Sequence, residues 1–445
     1  MARAGTSWGR WPPVGEGAQR VLPLADRTTP LPAFDGTALP YGNGRSYGDS
    51  CLNPDGTLLA ARGLDRFIAF DEASGELECE AGTLLEDILA LAVPRGWFLP
   101  VMPGTSLATV GGAIANDVHG KNHAAAGSFG DWVRELELLR SDGSRLRCSP
   151  MSNAELFRAT VGGLGLTGLV VRARLQLRRV AGPGMSIETR RFRCLSEYFE
   201  LVRATATSEY RVAWIDCLAH GAALGRGVYS HGDHAPGGVP APSVRQRRGS
   251  VPMELPVSLV NGLSLRAFNR LYYAAAPARP RRQVVHYRPF FFPLDGIGRW
   301  NRLYGPRGFL QHQCVLPPVS EEAATAEMLG RIAASGQGSF LAVLKPFGDR
   351  VPAGMLSFPR AGTTLALDFP FRGQATMDLL EALDRVVMDA GGAIYPAKDA
   401  RMAPAMFAAS FPRLGEFRQY VDPAFSSAFW RRVAGSPSTE TRGQA

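Results

Sequence analysis

The sequence lacks the features that mark several large classes of protein. Within its 445 residues there is no stretch of about 18 apolar residues, so we expect no membrane-spanning helix. The N-terminus, MARAGTSWGRWPP, has no apolar core of the kind that secretory signals carry. The 6 cysteines are scattered, without a CxxC pair or a metal-like spacing with histidine, which predicts free thiols in a reducing compartment and no metal site. We therefore expect a cytoplasmic protein, with peripheral contact at the inner membrane surface left open.

Acidic side chains are in the minority. The chain has 49 basic and 40 acidic residues, a net charge of +9, and nearly all of the basic residues are arginine. Arginine suits phosphate recognition, although the codon usage of a GC-rich genome explains the same bias. The charge favours an anionic substrate or a membrane surface. A non-catalytic nucleic-acid-binding module is an alternative, but no recognisable nucleic-acid motif supports it.

Glycine, in contrast, is abundant and concentrated in two loops. The first loop (residues 40–50) contains YGNGRSYGD, and the second loop (residues 103–128) reads PGTSLATVGGAIANDVHGKNHAAAGS. Without a Cβ, glycine lets backbone N–H groups approach a ligand, and consecutive N–H groups can bind phosphate oxygens. Neither loop is a P-loop, and neither is a GxGxxG that opens a helix after a strand. The two loops together predict a large diphosphate cofactor held from two sides, whereas each one alone could be a set of tight turns.

The organisation of the chain changes near residue 180. Up to that point short strands alternate with helices near residues 83–93 and 153–157, and Asp142-Gly143 predicts a hairpin. Beyond it we expect strand, helix and strand over 190–216, further strands, and a helix near 376–389. Residues 232–256 are rich in Pro, Gly and Arg and predict a mobile loop. The fold class is α+β.

Several longer motifs occur in a fixed order along nearly the whole chain. They are GRSYGD (44–49), PGTxxxTVGGAIxxDxHGKNHxxAGSFG (103–130), AELFxATVGGxGLTG (154–168), WNRxYGPxGFLQxQ (300–313), LKxFG (344–348), DFP (368–370) and YxAKD (395–399). With these motifs the sequence resembles the vanillyl-alcohol-oxidase superfamily, whose FAD-binding domain is of the PCMH type. Within it, the sequence is similar to the family of decaprenylphosphoryl-β-D-ribose 2′-oxidases.

The resemblance implies a domain arrangement and a cofactor. A two-subdomain FAD-binding domain would span residues 1–180 and be completed by 393–445, and an α+β substrate domain with an antiparallel sheet would span 181–392. FAD would be noncovalent, because Arg45 stands where some relatives carry the histidine that attaches flavin, and the family counterpart of His119 leaves it unattached. The implied cofactor-binding residues are Asn43, Gly44, Arg45, Ser46, Tyr47, Gly48, Gly104, Thr109, Val110, Gly111, Gly112, Asn116, Asp117, His119, Val170 and Tyr395.

Oxidation of an alcohol to a ketone removes a hydride from carbon and a proton from oxygen, and FAD accepts the hydride. Lys398 is the first candidate for the proton, since burial can lower the pKa of a lysine toward neutrality. An equal alternative is that Lys398 stabilises negative charge on the reduced flavin. Tyr47 and His119 could orient the sugar or relay the proton. The substrate-binding candidates are Trp214, Gln311, Gln313, Lys345 and Lys398.

The resemblance also implies an activity. We expect oxidation at C2 of a polyprenyl-phosphoryl-β-D-ribose to the 2-keto sugar, which a separate NAD(P)H-dependent keto-reductase would convert to the arabinose donor of a cell-envelope glycan. The alternative is a flavin oxidase of a free sugar, alditol or aldonolactone. Two departures from the family pattern are Ala366, where mycobacterial members have a cysteine, and His312, where an aromatic residue is expected.

Overall fold

The computed structural model describes residues 5–15, 17–237, 249–254 and 256–434. The strands are β1 Arg20–Pro23, β2 Ala38–Tyr41, β3 Thr57–Ala60, β4 Phe67–Asp71, β5 Glu76–Glu80, β6 Trp97–Phe98, β7 Val133–Leu139, β8 Arg145–Cys148, β9 Leu169–Gln176, β10 Arg178–Arg179, β11 Gly184–Phe192, β12 Tyr210–Ile215, β13 Gly227–His234, β14 Gly249–Ser250, β15 Arg281–His286, β16 Ile297–Gly298, β17 Phe309–Leu316, β18 Ala342–Phe347, β19 Gly362–Pro370 and β20 Ala393–Ile394. The α-helices are α1 Leu85–Ala92, α2 Val110–Ala115, α3 His123–Ala126, α4 Ala154–Thr160, α5 Leu195–Ala204, α6 Gly262–Ala275, α7 Tyr287–Phe291, α8 Glu321–Ser335, α9 Gln374–Asp389, α10 Pro404–Ser410, α11 Leu414–Phe417 and α12 Ala428–Ala434.

The N-terminal part of the chain contains two larger sheets and a two-stranded antiparallel pair of β6 with β10. Strands β1, β3 and β2 pair in parallel, and the antiparallel sheet has the order β4-β5-β9-β7-β8. The predicted hairpin is confirmed, since β7 and β8 pair across a turn in which Gly143 has a φ of +84°. Helix α1 places Leu85, Ile88 and Leu89 in the core, following the helical spacing of its apolar residues.

The C-terminal part is organised by an eight-stranded antiparallel sheet of order β15-β11-β13-β12-β18-β19-β17-β20. Helix α9 lies against β17 and α8 through Leu379, Leu380, Leu383, Val386 and Val387, which are spaced for one helix face. Helices and antiparallel sheets together confirm the predicted α+β class. In the part of the chain that the structure describes, no helix is long and apolar enough to cross a bilayer.

Two expectations about organisation meet different outcomes. The loop expected over 232–256 is wrong for part of that range, because β13 continues to His234 and pairs with β11, and Gly249–Ser250 form β14, which pairs with β16. Residues 238–248 and 255 of that segment lie outside the described residues. The domain boundaries 1–180 with 393–445, and 181–392, stay a prediction, although β20 pairs with β17 and so joins the later sheet.

Candidate active site

One cavity of about 1000 Å³ lies between the two glycine-rich loops and the eight-stranded sheet. This volume is at the upper end of the usual range for small-molecule sites. The structure brings most of the sequence-predicted residues to its wall, although they come from segments far apart in the chain. Those residues are Asn43, Gly44, Arg45, Ser46, Tyr47, Gly104, Thr109, Gly111, Gly112, Asn116, His119, Val170, Trp214, Gln311, Gln313, Lys345, Tyr395 and Lys398.

Three predicted cofactor-binding residues lie outside that wall. A Cβ on Gly48 would stand 1.7 Å from the carbonyl oxygen of Asp399, so this glycine allows two backbone segments to pack. Val110 is fully buried in the hydrophobic core. Asp117 is fully buried as well and faces the protein interior.

The Asp117 carboxylate connects three segments. It accepts hydrogen bonds from the Ser128 Oγ at 2.8 Å, the Gly130 backbone N–H at 2.8 Å and the Ser357 Oγ. Burial raises the pKa of Asp117 to about 6, while these three donors act in the opposite direction. The geometry therefore gives Asp117 the role of holding the second loop in place, rather than of touching a ligand.

The C-terminal segment holds the first loop. The Tyr47 backbone N–H donates to the Ala397 carbonyl at 2.9 Å. The Arg432 guanidinium on α12 donates to Asp49 at 2.8 Å and to Asp399 at 3.0 Å. A charged donor shared by two buried carboxylates makes a strong, geometrically specific contact. The first loop is thereby attached to the segment that carries Lys398.

The two glycine-rich loops touch each other. The Asn43 Nδ2 donates to the Leu107 carbonyl at 2.8 Å, and a Cβ on Gly42 would lie 2.5 Å from the Thr109 Oγ1. Thr109 also caps α2, where its Oγ1 accepts from the Gly112 N–H at 3.1 Å. The predicted pair of loops is therefore a single continuous wall.

His119 lies in an aromatic and amide environment. Its Nε2 is 2.8 Å from the Gln313 Nε2, which donates if the imidazole is neutral and carries its proton on Nδ1. Burial lowers the pKa of His119 well below its usual range, and the positive charge of Lys345 acts in the same direction. The neutral form is thus favoured at physiological pH. Within the described residues, the buried Nδ1 has no hydrogen-bond partner.

Lys398 and Tyr47 are in direct contact. The Lys398 Nζ lies 3.7 Å from the centroid of the Tyr47 ring, which is a cation–π geometry when the amine is charged. Burial lowers the pKa of Lys398 toward neutrality, the negative charge of Asp368 opposes that shift, and the positive charge of Lys345 adds to it. Near neutral pH, both the charged and the neutral form of Lys398 are therefore accessible.

Asp368 is the charged partner that the sequence reasoning did not assign. The carboxylate is fully buried, accepts from the Gln311 Nε2 at 2.5 Å and from the Tyr304 hydroxyl at 3.3 Å. Burial raises its pKa, and the hydrogen bond from Gln311 and the charge of Lys398 lower it. Asp368 was present in the DFP motif, but only the pairing of Gln311 with Asp368 across β17 and β19 shows that it contacts the site.

Lysine usage is a signal that could have found the site more directly. The chain has only three lysines, Lys121, Lys345 and Lys398, and all three line this cavity. Burial lowers the pKa of Lys121 to about 7 and that of Lys345 to about 8. Arg45 adds a fourth cation, and among the described residues of the wall only Asp295 is acidic. The cavity is therefore suited to anionic ligands.

Aromatic side chains form the far wall. The Trp214 Nε1 donates to the Phe340 carbonyl at 2.9 Å, and its ring lies 4.6 Å from Tyr272. Ala366 lines the cavity at the place of the family cysteine. His312 points to the other face of β17 and contacts Asp384 at 3.0 Å, because neighbouring strand residues alternate in direction. The departure at His312 thus lies behind the sheet.

Comparison with known proteins agrees with this arrangement. Residues 32–149 match the family described as "FAD binding domain". Over 408 residues the chain is 35% identical to decaprenylphosphoryl-beta-D-ribose oxidase of Mycolicibacterium smegmatis, and 88% of each chain is covered. It is 36% identical to an uncharacterized protein of Streptomyces coelicolor, over 78% of this chain and 99% of the other. Over 30% of each chain, it is 32% identical to L-gulonolactone oxidase of Mus musculus.

The cofactor domain and the cavity define the class: this is an FAD-dependent oxidoreductase. The extent of the similarity is decisive for the family, since the 35% identity extends over 88% of the chain. The chain belongs to the decaprenylphosphoryl-β-D-ribose oxidase family. The cavity has room for a large ligand, since its volume is about 1000 Å³ and a Cβ added to Gly104 of its wall would meet no protein atom within 4 Å.

Proposed function

We propose that the protein oxidises the C2 hydroxyl of a polyprenyl-phosphoryl-β-D-ribose to the 2-keto sugar. One observation carries the proposal: a single cavity joins the glycine-rich cofactor loops to all three lysines of the chain. Two phosphate-bearing ligands, a dinucleotide and a phosphoryl sugar, account for this concentration of positive charge. The name of the Mycolicibacterium smegmatis relative supports the same substrate.

FAD would be held by the first and second loops without a covalent bond. Arg45 precedes Ser46 at the place where a histidyl attachment would be needed. The His119 Nε2 is already engaged by Gln313 at 2.8 Å. Asn43, Gly104, Thr109 and Tyr395 would hold the cofactor from opposite sides, and Val170 would contact its adenosine end.

Bound FAD would supply the hydride acceptor, and the chain must supply orientation and a place for the hydroxyl proton. Lys398 and Asp368 are both buried and carry opposite charges that influence each other, and burial shifts the pKa of each toward neutrality. In its neutral form Lys398 would take the proton, and in its charged form it would stabilise developing negative charge. Tyr47 and Gln311 would position the two charged groups.

The amide and cationic side chains would recognise the sugar phosphate. Gln311 and Gln313 suit hydroxyl groups, because an amide both donates and accepts. Lys345 and Lys121 would bind the phosphate. Trp214 would form the wall against which the ligand packs. A separate keto-reductase would then complete the conversion of ribose to arabinose for a cell-envelope glycan, and peripheral contact with a membrane would give access to the prenyl chain.

The decisive experiment is anaerobic addition of polyprenyl-phosphoryl ribose to the purified holoenzyme. We expect the oxidised flavin absorbance to be bleached, and acid precipitation to release the flavin into solution. As controls, free ribose, alditols and aldonolactones are added separately under the same anaerobic conditions. Bleaching by a free sugar or lactone but not by the lipid-linked ribose would overturn the substrate in favour of the soluble-sugar alternative, and flavin that stays with the precipitate would overturn noncovalent attachment.

A further inference from the structure

Exposed apolar side chains are concentrated in one segment of the chain. Of the thirteen large hydrophobic side chains that are exposed among the described residues, eight lie between positions 253 and 297. Isolated exposed hydrophobic residues are normal, but a contiguous group marks a contact surface. The eight are Met253, Val257, Leu259, Leu263, Phe268, Leu271, Tyr272 and Ile297. We name these residues, together with Arg266 and Arg270, the α6 surface.

Helix α6, at the centre of this surface, buries few of its side chains. It buries only Leu265 and Asn269, and the Asn269 Nδ2 donates to the Asp216 Oδ1 at 2.7 Å. Leu263 and Leu271 are 79% and 70% exposed. A polar contact therefore attaches the helix to the domain, while two leucines face solvent, which costs free energy unless another apolar phase covers them.

The sequence that forms most of the α6 surface carries positive charge between two flanking carboxylates, Glu254 and Asp295. Between Glu254 and Asp295 the sequence contains no aspartate or glutamate but six arginines, namely Arg266, Arg270, Arg279, Arg281, Arg282 and Arg288. Arg266 and Arg270 are exposed on α6 itself, beside the leucines. A helix that combines exposed leucine and aromatic residues with arginines is typical of segments that lie in the interface of an anionic bilayer.

The α6 surface is continuous with the cavity. Phe268, Tyr272 and Ile297 belong both to the exposed group and to the cavity wall. The Tyr272 ring lies 4.6 Å from Trp214 inside the cavity, and Phe268 lies 4.9 Å from Phe340. The exposed aromatic side chains of α6 are thus in direct contact with aromatic side chains of the cavity wall.

We propose that the α6 surface binds the face of a bilayer that contains anionic phospholipids, and that the cavity receives its lipid-linked substrate there. Leu263 and Leu271 enter the acyl boundary, and Arg266 and Arg270 contact phosphate headgroups. The delivery of substrate rests on the proposed function, whereas binding to the bilayer depends only on the surface. The two parts can therefore fail separately.

The test is sedimentation of the FAD-loaded protein with vesicles of phosphatidylglycerol and phosphatidylcholine, without substrate. We expect L263S combined with L271S to weaken binding by about tenfold or more, because two apolar side chains leave the bilayer. R266Q with R270Q should weaken binding to these vesicles and reduce its salt dependence, without affecting binding to phosphatidylcholine alone. The matched control is M151S with V319S, which removes exposed apolar residues away from the α6 surface (93% and 94% exposed) and should leave binding unchanged.

Equal vesicle binding by the L263S/L271S double variant and by the M151S/V319S control would overturn the proposal. The proposal would also be overturned if the L263S/L271S double variant bound vesicles normally but had a different molecular mass in solution from the parent protein. The α6 surface would then be an interface between two copies of the chain. Bleaching of the flavin by a short-chain substrate in detergent should be the same in the leucine variant and the parent protein. If bleaching fails in both while vesicle binding follows the prediction, the substrate is wrong and the surface stands.

Discussion

The two sides of the cavity are constructed in different ways. The loop side consists of two glycine-rich loops, and many of the residues that line the cavity there are glycine or other small residues. The opposite side consists of side chains on β12, β17, β18 and β19, which alternate in direction along each strand. On the first side the local sequence carries the recognition, and on the second side strand register decides which residues enter. Substitutions should therefore affect cofactor binding on one side and substrate chemistry on the other.

The largest effect should come from Lys398, at the boundary between the two sides. We expect Lys398→Ala to retain FAD, because the loops are unchanged, and to slow flavin reduction by about 10²- to 10⁴-fold, since proton handling is lost. Stopped-flow reduction measures this rate. Lys345→Met is the matched variant, and we expect it mainly to weaken substrate binding, by about 10- to 100-fold, through loss of a charged hydrogen bond. Normal turnover of Lys398→Ala would remove Lys398 from the mechanism.

An Asp117→Ala variant tests whether Asp117 stabilises the second loop or binds the cofactor. Asp117→Ala leaves the Ser128, Gly130 and Ser357 donors without their buried acceptor, which should lower the free energy of unfolding by about 3 kcal/mol. Urea unfolding of the FAD-free protein measures this value. A protein of normal stability that has lost FAD would reverse the assignment and make Asp117 a cofactor ligand.

A Gly104→Ala variant tests whether FAD lies against the cavity wall at the second loop. A Cβ at this position meets no protein atom within 4 Å, so Gly104→Ala should leave the stability of the FAD-free protein unchanged. If FAD lies against this wall, its Kd should rise about tenfold, because a methyl group overpacks the contact. Titration of apoprotein with FAD measures it. Gly182→Ala, at a position that is equally open and outside the cavity wall, is the control; equal Kd values for the two variants would place FAD elsewhere.

The smallest predicted effect, a change in pH dependence, distinguishes the two roles of Lys398. The charge of Asp368 raises the pKa of Lys398, so Asp368→Asn should lower that pKa, by about one unit. If neutral Lys398 takes the proton, the rate of flavin reduction rises with pH through this pKa. If charged Lys398 stabilises negative charge, the rate falls with pH instead. In either case the pH at which the rate of flavin reduction changes should be lower in Asp368→Asn than in the parent protein. An unchanged pH profile would show that Asp368 and Lys398 are not linked in catalysis.

Much of the fold followed from local patterns. The hairpin at Asp142-Gly143 and the helix near 376–389 were predicted correctly, because turn chemistry and apolar spacing act over a few residues. The strand ending at His234 was missed, because its Pro- and Gly-rich neighbourhood hides a segment that pairs with β12 on one side and, on the other, with β11, which lies about forty residues earlier. Strand pairing at that distance depends on tertiary context.

The sequence by itself determined the two glycine-rich loops, the order of the motifs along the chain and the occurrence of all three lysines within those motifs. These are properties of residue type and spacing, so they can be seen without coordinates. Only the tertiary structure decided that Asp117 faces inward to Ser357, that His312 points behind the sheet to Asp384, and that Asp368 acts beside Lys398. The reason is that the direction of a side chain depends on strand register and on contacts between segments hundreds of residues apart.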